Sequence, residues 1–201
     1  FCMCPGGQVV NASSEPGHLA VNGMSRAARD GRNANSALIV TVRREDFPGE
    51  GPLAGIAFQR QLEEAAFRAG EGQIPVQLWQ DFRDNRPSTA LGDVTPDLCG
   101  GWQLGSLRPV LPESLSGCLM AAMEQFGKKI DGFDRPDAVF SGVESRTSSP
   151  VRIERDTQTE SPVKGLFPCG EGAGFAGGIT SAAADGIRVA EEIIRRYSPW
   201  T

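Results

Sequence analysis

Several features that define common protein classes are missing from this sequence. Only one of its 201 residues is a histidine, His18, which makes serine–histidine–aspartate catalysis or a histidine-rich zinc site a poor interpretation. No apolar run approaches the ~20 residues that span a bilayer, and no charged-then-apolar leader is visible. The 20 basic and 25 acidic residues form no block of like charge. We therefore expect no metal, no membrane and no nucleic-acid partner.

The cysteines also lack a recognisable pattern. There are five of them, an odd and scattered set that does not indicate a disulfide framework. Free thiols in a reducing compartment are the simpler interpretation, so we expect a cytoplasmic protein. Cys2 and Cys4 form a C-x-C pair, which is too short for the usual metal-binding arm and has no second arm. We interpret these two cysteines as strand residues.

The first residue, Phe1, lies inside an apolar, β-prone run. We interpret the chain as a piece of a longer protein, because a natural N-terminus rarely falls inside such a pattern. Its length is still sufficient to bury a sizeable core.

Short apolar runs and helical spacing indicate an α+β fold. Strands are predicted at 8–12, 19–22, 36–42, 138–143, 151–155 and 165–169, and helices at 52–70, 112–128 and 179–197. The intervening stretch 70–106 is weakly periodic and is expected to be mostly loop. The expected architecture is a mixed or antiparallel sheet with covering helices, followed by a C-terminal strand, glycine turn and helix. In that last helix, the predicted apolar stripe consists of Ile179, Ala183, Gly186 or Ile187, Ala190 and Ile194.

The glycine turn, residues 170–178, contains five glycines in nine positions. Glycine lets backbone N–H groups approach a ligand closely, and the following helix start offers unpaired N–H groups with a partial positive charge. No Gly-Lys-Ser/Thr follows, so the turn is not a P-loop. The alternative is a tight helix-packing turn that binds nothing.

The residues just before the turn, GLFPCGE (165–171), resemble the G-L-y-x-x-G-D/E strand near the C-terminus of two-dinucleotide-binding flavoproteins. The resemblance implies that the acidic position, Glu171, binds the ribityl chain of FAD. It also implies that the next helix directs its N-terminus at the pyrimidine end of the flavin. The cofactor-binding residues expected from it are Gly170, Glu171, Gly172, Gly177, Gly178, Ile179 and Thr180.

Three further strings resemble a family of bacterial FAD-dependent dehydrogenases described as NAD-utilising: FCMCPGG (1–7), NGMSRAARDGRNANSA (22–37) and GVESRTSSPVRI (142–153). The resemblance implies hydride transfer through FAD, with NAD(P)H considered as electron donor. It also implies an inserted substrate-side domain over residues 1–160 and a return to the FAD-binding domain over 161–201. The N-terminal G-x-G-x-x-G region of that family is absent here. We therefore expect the isolated chain to be inactive and to bind FAD weakly or not at all. Its expected partners are that missing region and a small-molecule substrate, with a homodimer of the isolated chain as the alternative.

Two polar loops contain the residues that are expected to contact the substrate. Asn22 and Arg26 lie in a polar cluster that either lines a substrate pocket or is held by Asn and Ser side-chain bonds. Arg146 either binds an anionic group or belongs to a solvated hairpin turn. No general acid or base can be assigned. Two other functions remain open: a non-catalytic binding or assembly module, and a hydrolase using Ser181 or Thr180, which lacks a nearby histidine.

Overall fold

The computed structural model describes residues 3–197. Small mixed sheets and four α-helices confirm the predicted α+β class. The chain divides into two compact units, which are described separately. Unit 1 comprises the residues up to Asp46 together with Phe58–Ser145, and unit 2 comprises Phe47–Ala57 together with the residues from Arg146 onward. The predicted division after residue 160 stays a prediction.

The first sheet of unit 1 has the strand order β2-β1-β4. Strand β1 (Gly7–Asn11) pairs antiparallel with β2 (Val21–Ser25) and parallel with β4 (Leu98–Cys99). The strands predicted at 8–12 and 19–22 are therefore present, the second displaced toward the C-terminus. The interpretation of Cys2 as a strand residue lies outside the described residues, and Cys4 precedes β1 without belonging to a strand.

The second sheet of unit 1 is built on a strand that the sequence pattern did not indicate. Strand β3 (Ile74–Leu78) is buried at all five positions and lies between β5 (Trp102–Leu104), which is parallel to it, and β6 (Val139–Ser141), which is antiparallel. The stretch 70–106 is loop-rich as predicted, since most of its residues lie outside helices and strands, but β3 and the short elements that follow it were not predicted. A strand buried on both faces shows no alternation, and five residues are too few to reveal any other period.

Two helices of unit 1 lie at their predicted positions, and a third, short one was not predicted. Helix α1 (Ala54–Ala69) buries the i, i+4, i+8 series Phe58, Leu62 and Ala66, and its first four residues are counted with unit 2. A short α2 (Trp79–Arg83) follows β3, and α3 (Glu113–Gly127) comes later. Phe82 packs against Phe140 with ring centroids 5.2 Å apart, which places an aromatic cluster in the core.

Unit 2 contains little regular structure besides α4 (Ile179–Arg196). The strands predicted at 151–155 and 165–169 are wrong, as is the one predicted at 36–42 in unit 1, because none of these segments pairs in a sheet. Strand propensity needs cross-strand partners to take effect, and these runs have none among the described residues. Over residues 3–197, no helix is long and apolar enough to cross a membrane.

Candidate functional site

The glycine turn has a defined backbone shape. Gly170 and Gly174 adopt φ angles of 71° and 82°, a region that residues with a Cβ atom seldom occupy. The turn is closed by hydrogen bonds from Gly174 N to the Glu171 carbonyl, 2.9 Å, and from Phe175 N to the Gly170 carbonyl, 3.0 Å. A Cβ atom on Gly174 would lie 2.4 Å from the Val151 carbonyl oxygen. Glycine is therefore needed at this position for packing as well as for conformation.

An arginine–aspartate pair anchors the turn to α4. Arg155 Nη2 donates to Asp185 Oδ1 at 2.6 Å, and Arg155 Nη1 donates to Asp185 Oδ2 at 3.0 Å. Asp185 Oδ2 also accepts the Gly170 N–H at 2.9 Å. The guanidinium lies 3.5 Å from the centre of the Phe175 ring. Hydrogen bonding from Arg155, followed by that from Gly170, lowers the pKa of Asp185 to about 2.

Sequence reasoning missed both members of this anchor. The sequence pattern gave no signal for it, because periodicity does not show that the face of α4 carrying Asp185 is the one that becomes buried. The inward face of α4 carries Ala182, Asp185, Gly186, Val189 and Ile193. Of the predicted stripe, only the alternative position Gly186 lies on this face, and Ile179, Ile187 and Ile194 are exposed by 82%, 63% and 74%. A largely buried aspartate requires a partner, and here Arg155 and the Gly170 N–H are the partners.

The start of α4 is open. Gly178 precedes it in extended conformation and has no side chain to cap it. Ser181 Oγ accepts the Gly178 N–H at 3.2 Å and donates to the Gly178 carbonyl at 3.0 Å. The first N–H groups of a helix have no intrahelical acceptor, and Ile179 and Thr180 are exposed. This end of the helix therefore presents donors and a partial positive charge outward.

All the residues expected to bind the cofactor lie in this single turn and helix start within unit 2. Glu171, Gly172, Gly177 and Gly178 are exposed, and a Cβ atom on Gly172 would meet no heavy atom within 4 Å. A ligand could therefore approach the backbone directly here. An accessible backbone, an exposed carboxylate and an open helix start fit the ribityl and flavin end of FAD. The assignment of individual residues stays a prediction.

The expected substrate residues are distributed differently. Asn22 lies half-buried in β2 and Arg26 is exposed just after it, both in unit 1, while Arg146 is exposed and belongs to unit 2. Their neighbours Asn33 and Asn35 hold the loop instead, because Asn33 Nδ2 donates to the Thr95 carbonyl and Asn35 bonds the backbone on both sides. These two asparagines therefore agree with the alternative interpretation, in which side-chain hydrogen bonds hold the loop.

Two comparisons with known proteins give the relationship. A family model described as "FAD-dependent protein, C-terminal domain-like" matches residues 1–147. A Clostridium beijerinckii protein, titled only as uncharacterized, is 54% identical over 200 residues, covering 98% of this chain but 38% of that protein. The chain thus spans well under half the length of this relative, and the family match ends before the glycine turn. Within these limits, the expected FAD-dependent relationship is confirmed, and the chain belongs to the FAD-dependent protein C-terminal domain-like family.

Proposed function

We propose that this chain is the C-terminal part of a flavin-dependent dehydrogenase, in which the glycine turn and the start of α4 contact the flavin end of FAD. The observation that carries the proposal is the combination of an anchored turn with an open backbone and a helix start without a side-chain cap. Membership of an FAD-dependent family supports the choice of cofactor.

The chain's own residues would position and tune the cofactor. The Glu171 carboxylate would accept hydrogen bonds from ribityl hydroxyls, and the N–H groups of Ile179 and Thr180 would face the pyrimidine end of the ring. When bound, FAD supplies the hydride-accepting ring, with NAD(P)H as the proposed donor. A helix N-terminus carries the equivalent of roughly half a positive charge. It would therefore stabilise the negative charge that accumulates on the ring during reduction.

The proposed partner of this site is the polypeptide outside these 201 residues. Ile179, Ile187 and Ile194 form an exposed apolar stripe along α4, and such a surface favours burial against other protein. The Clostridium beijerinckii relative has ample additional chain to provide a cover. We expect the isolated chain to be inactive and to bind FAD weakly. As the alternative, a second copy of this chain would bury the stripe in a homodimer.

The same stripe favours a second candidate function, a non-catalytic binding or assembly module. In that case the complete polypeptide would use α4 for association without placing a flavin beside the turn. A hydrolase based on Ser181 is less well supported, because the Ser181 hydroxyl is already bonded to Gly178. The chain's only histidine, His18, belongs to unit 1.

The visible absorbance spectrum of the complete polypeptide tests the proposal. A dehydrogenase should purify yellow, or turn yellow with added FAD, and should bleach with dithionite and with NAD(P)H. Bleaching by dithionite but not by NAD(P)H would support the flavin assignment and would exclude NAD(P)H as the electron donor. A folded polypeptide that stays colourless in excess FAD would leave the binding-module function as the better interpretation.

Gly178→Val tests the placement of the flavin. Gly178 is extended, with φ −158° and ψ 163°, a conformation that valine favours. An added Cβ atom would meet Ser181 Oγ at 3.7 Å, an ordinary contact. The variant should therefore fold normally while its new side chain blocks the open helix start. The flavin content of the complete polypeptide should then fall at least tenfold.

Gly186→Ala is the matched control for that substitution. It lies on the same helix, has no heavy atom within 4 Å of its added Cβ, and should stabilise α4 by up to about 1 kcal/mol. Its flavin content should equal that of the unmodified polypeptide. Unchanged flavin in Gly178→Val would show that the flavin does not contact this turn.

A further inference from the structure

A second arginine lies against the glycine turn and uses its guanidinium differently from Arg155. Arg155 bonds both carboxylate oxygens of Asp185, and its side chain is only 6% exposed. Arg152 is exposed, and only its Nε atom makes a hydrogen bond, which goes to the Gly174 carbonyl at 3.1 Å. Within residues 3–197, neither Nη atom of Arg152 has a hydrogen-bond acceptor or a carboxylate partner. Both Nη groups and the positive charge are therefore available at the edge of the turn.

The position of Arg152 is fixed by its contacts with the turn. Its Cα atom lies 3.0 Å from the place that a Cβ atom on Gly174 would occupy. Its guanidinium carbon lies 4.7 Å from the centre of the Phe175 ring, within the range of a cation–π contact. One hydrogen bond and one ring contact thus orient the planar group before any ligand arrives. An arginine held in this way loses less side-chain freedom upon binding.

The surface next to Arg152 has room for a ligand. Gly174, to which Arg152 is bonded, donates its N–H to the Glu171 carbonyl. Gly172 lies between these two residues, is exposed, and has no heavy atom within 4 Å of an added Cβ. Because consecutive Cα atoms are 3.8 Å apart, Gly172 lies at most about 8 Å from Gly174. A small group placed on the Gly172 backbone is therefore within reach of the Arg152 guanidinium.

The free edge of a guanidinium determines the kind of group that it binds. Its two Nη atoms present parallel N–H donors that match two oxygens of one carboxylate or phosphate, and the positive charge strengthens these bonds. A neutral carbonyl would leave part of this donor capacity unused. The exposed Glu171 carboxylate can only accept hydrogen bonds when ionised. A ligand that carries hydroxyl groups next to an oxyanion would therefore suit both residues.

We propose that Arg152 is the oxyanion-binding residue of the glycine turn and binds a phosphate or carboxylate group of a ligand that lies against Gly172. Two sources could supply this group: the phosphate next to the ribityl chain of FAD, and a carboxylate of the substrate. The first source rests on the proposed function, because it needs the flavin end of FAD at this turn. Anion binding by the chain itself does not depend on it.

Anion titration of the 201-residue chain tests the site directly. Inorganic phosphate and acetate are the probes, and chloride at equal ionic strength is the reference. The Nε–Hε NMR signal of Arg152 should shift saturably with phosphate, acetate or both, and should not shift with chloride. Arg188, an exposed arginine on α4, is the internal control and should respond equally to all three salts. The proposal is overturned if Arg152 responds to phosphate and acetate no more than Arg188 does.

Two substitutions separate anion binding from support of the turn. In Arg152→Gln, the amide nitrogen occupies the place of Nε and can still donate to the Gly174 carbonyl, but the charge and both Nη groups are lost. Arg152→Met has neither donor nor charge. Both variants should lose the response of the Gly172 amide signal to the anion probes, whereas only Arg152→Met should speed proteolysis of the turn. A glutamine variant that responds like wild type would show that Arg152 only supports the turn.

Flavin affinities of the complete polypeptide identify the source of the anion. Riboflavin shares the ring and ribityl chain of FAD but has no phosphate. If the cofactor phosphate binds Arg152, Arg152→Gln should weaken FAD binding by about tenfold or more and leave riboflavin binding unchanged. Unchanged affinities for both flavins, together with a positive anion titration, assign the group to the substrate. Arg188→Gln, with the same loss of charge, should change neither affinity.

The two proposals fail in different ways. If the wild-type polypeptide binds neither flavin, the proposed function is wrong, and the anion titration still decides the role of Arg152. If both flavins bind wild type and both are weakened equally in Arg152→Gln, Arg152 shapes the turn without binding an oxyanion, and the present inference is wrong.

Discussion

The two units of this protein are stabilised by different means. Among residues 3–197, unit 1 contains nearly all of the buried apolar side chains, and the exceptions are Ala54, Pro168, Ala173 and Val189 of unit 2. Unit 2 relies on polar anchors, chiefly the pairing of Arg155 with Asp185, and leaves most of its large apolar residues exposed. Unit 1 is thus built around an apolar core, as an ordinary domain is. Unit 2 is instead held together by polar contacts and leaves most of its large apolar residues exposed.

This difference indicates how each unit should respond to change. A unit stabilised by apolar burial loses free energy with each cavity made in its core. The free energy of unfolding of a unit stabilised by a few ion pairs falls when a single partner is removed or protonated. Exposed apolar residues contribute little until another surface covers them. The following expectations exploit these differences, from the largest effect to the smallest.

Phe82→Ala should have the largest effect, and only in unit 1. Phe82 is fully buried and packs against Trp79 and Phe140, so its removal should lower the free energy of unfolding by about 3–5 kcal/mol. Hydrogen exchange measured peptide by peptide should show the loss in β3 and α2. Phe126→Ala, at a more exposed position on α3, is the control. Equal losses in unit 2 would show that the units do not unfold separately.

Asp185→Ala should have a comparable effect on unit 2. Arg155 and Asp185 side chains are only 6% and 11% exposed, so removing the carboxylate leaves a largely buried guanidinium and the Gly170 N–H without their partner. A cost of about 3 kcal/mol follows for breaking such a pair. Faster proteolysis at residues 165–178 should report it. Glu191→Ala, which breaks an exposed pair with Arg195 on the same helix, should change little.

Acid should weaken unit 2 through the same aspartate. The pKa of Asp185 is lowered in the folded state to about 2 from an ordinary 3.8. Its contribution is therefore complete above pH 5 and is lost progressively as pH falls through 3.8 toward 2. The difference corresponds to about 2 kcal/mol. In Asp185→Asn, the stability of unit 2 should lose this part of its pH dependence between pH 5 and pH 2. An unchanged acid profile would remove Asp185 as the cause.

Gly174→Ala should have a smaller effect within the turn. Its positive φ alone should cost about 1–2 kcal/mol, and the approach of its Cβ to the Val151 carbonyl oxygen adds to that cost. Gly172→Ala, where the added carbon meets nothing within 4 Å, is the matched control and should be nearly neutral. Proteolysis of the turn distinguishes the two. Equal protection of both variants would show that the turn tolerates a side chain at either position.

Ile187→Ser should have the smallest effect on this chain and a larger one in the complete polypeptide. Because Ile187 is exposed by 63%, the isolated chain should unfold within about 0.5 kcal/mol of wild type. If the remaining polypeptide covers the stripe, the same change there should cost about 2 kcal/mol through lost burial. Thermal unfolding of both lengths measures the contrast, and sedimentation shows whether self-association of the isolated chain also decreases. Similar shifts in both lengths would argue that nothing covers α4.

Much of the fold could be predicted because helical spacing is a local signal. The runs around Phe58 and Leu119 predicted α1 and α3 without knowledge of their neighbours. Strands depend on partners that may be distant in sequence. The apolar segment 36–42 was therefore predicted as a strand but remains unpaired, while the central β3 was missed because both its faces are buried.

The candidate site was predictable only as far as its backbone. Glycine density and a following helix identify a ligand-accessible turn. Arg155 and Asp185 are 30 positions apart, and no periodic pattern in the sequence indicates that they pair. The apolar residues of α4 were correctly predicted to share one face of a helix. The periodicity of a sequence does not reveal whether that face or the opposite one is buried in the described fold.

The anchoring of the glycine turn also has a thermodynamic consequence for binding. Its conformation is fixed by Asp185, by the Glu171–Gly174 hydrogen bond and by the close approach of Gly174 to Val151. The backbone is thus preorganised, and its ordering entropy is lost during folding and not upon ligand association. Cofactor binding should therefore leave hydrogen exchange within residues 170–175 nearly unchanged. The entropy of binding should instead reflect the release of water from an already shaped surface.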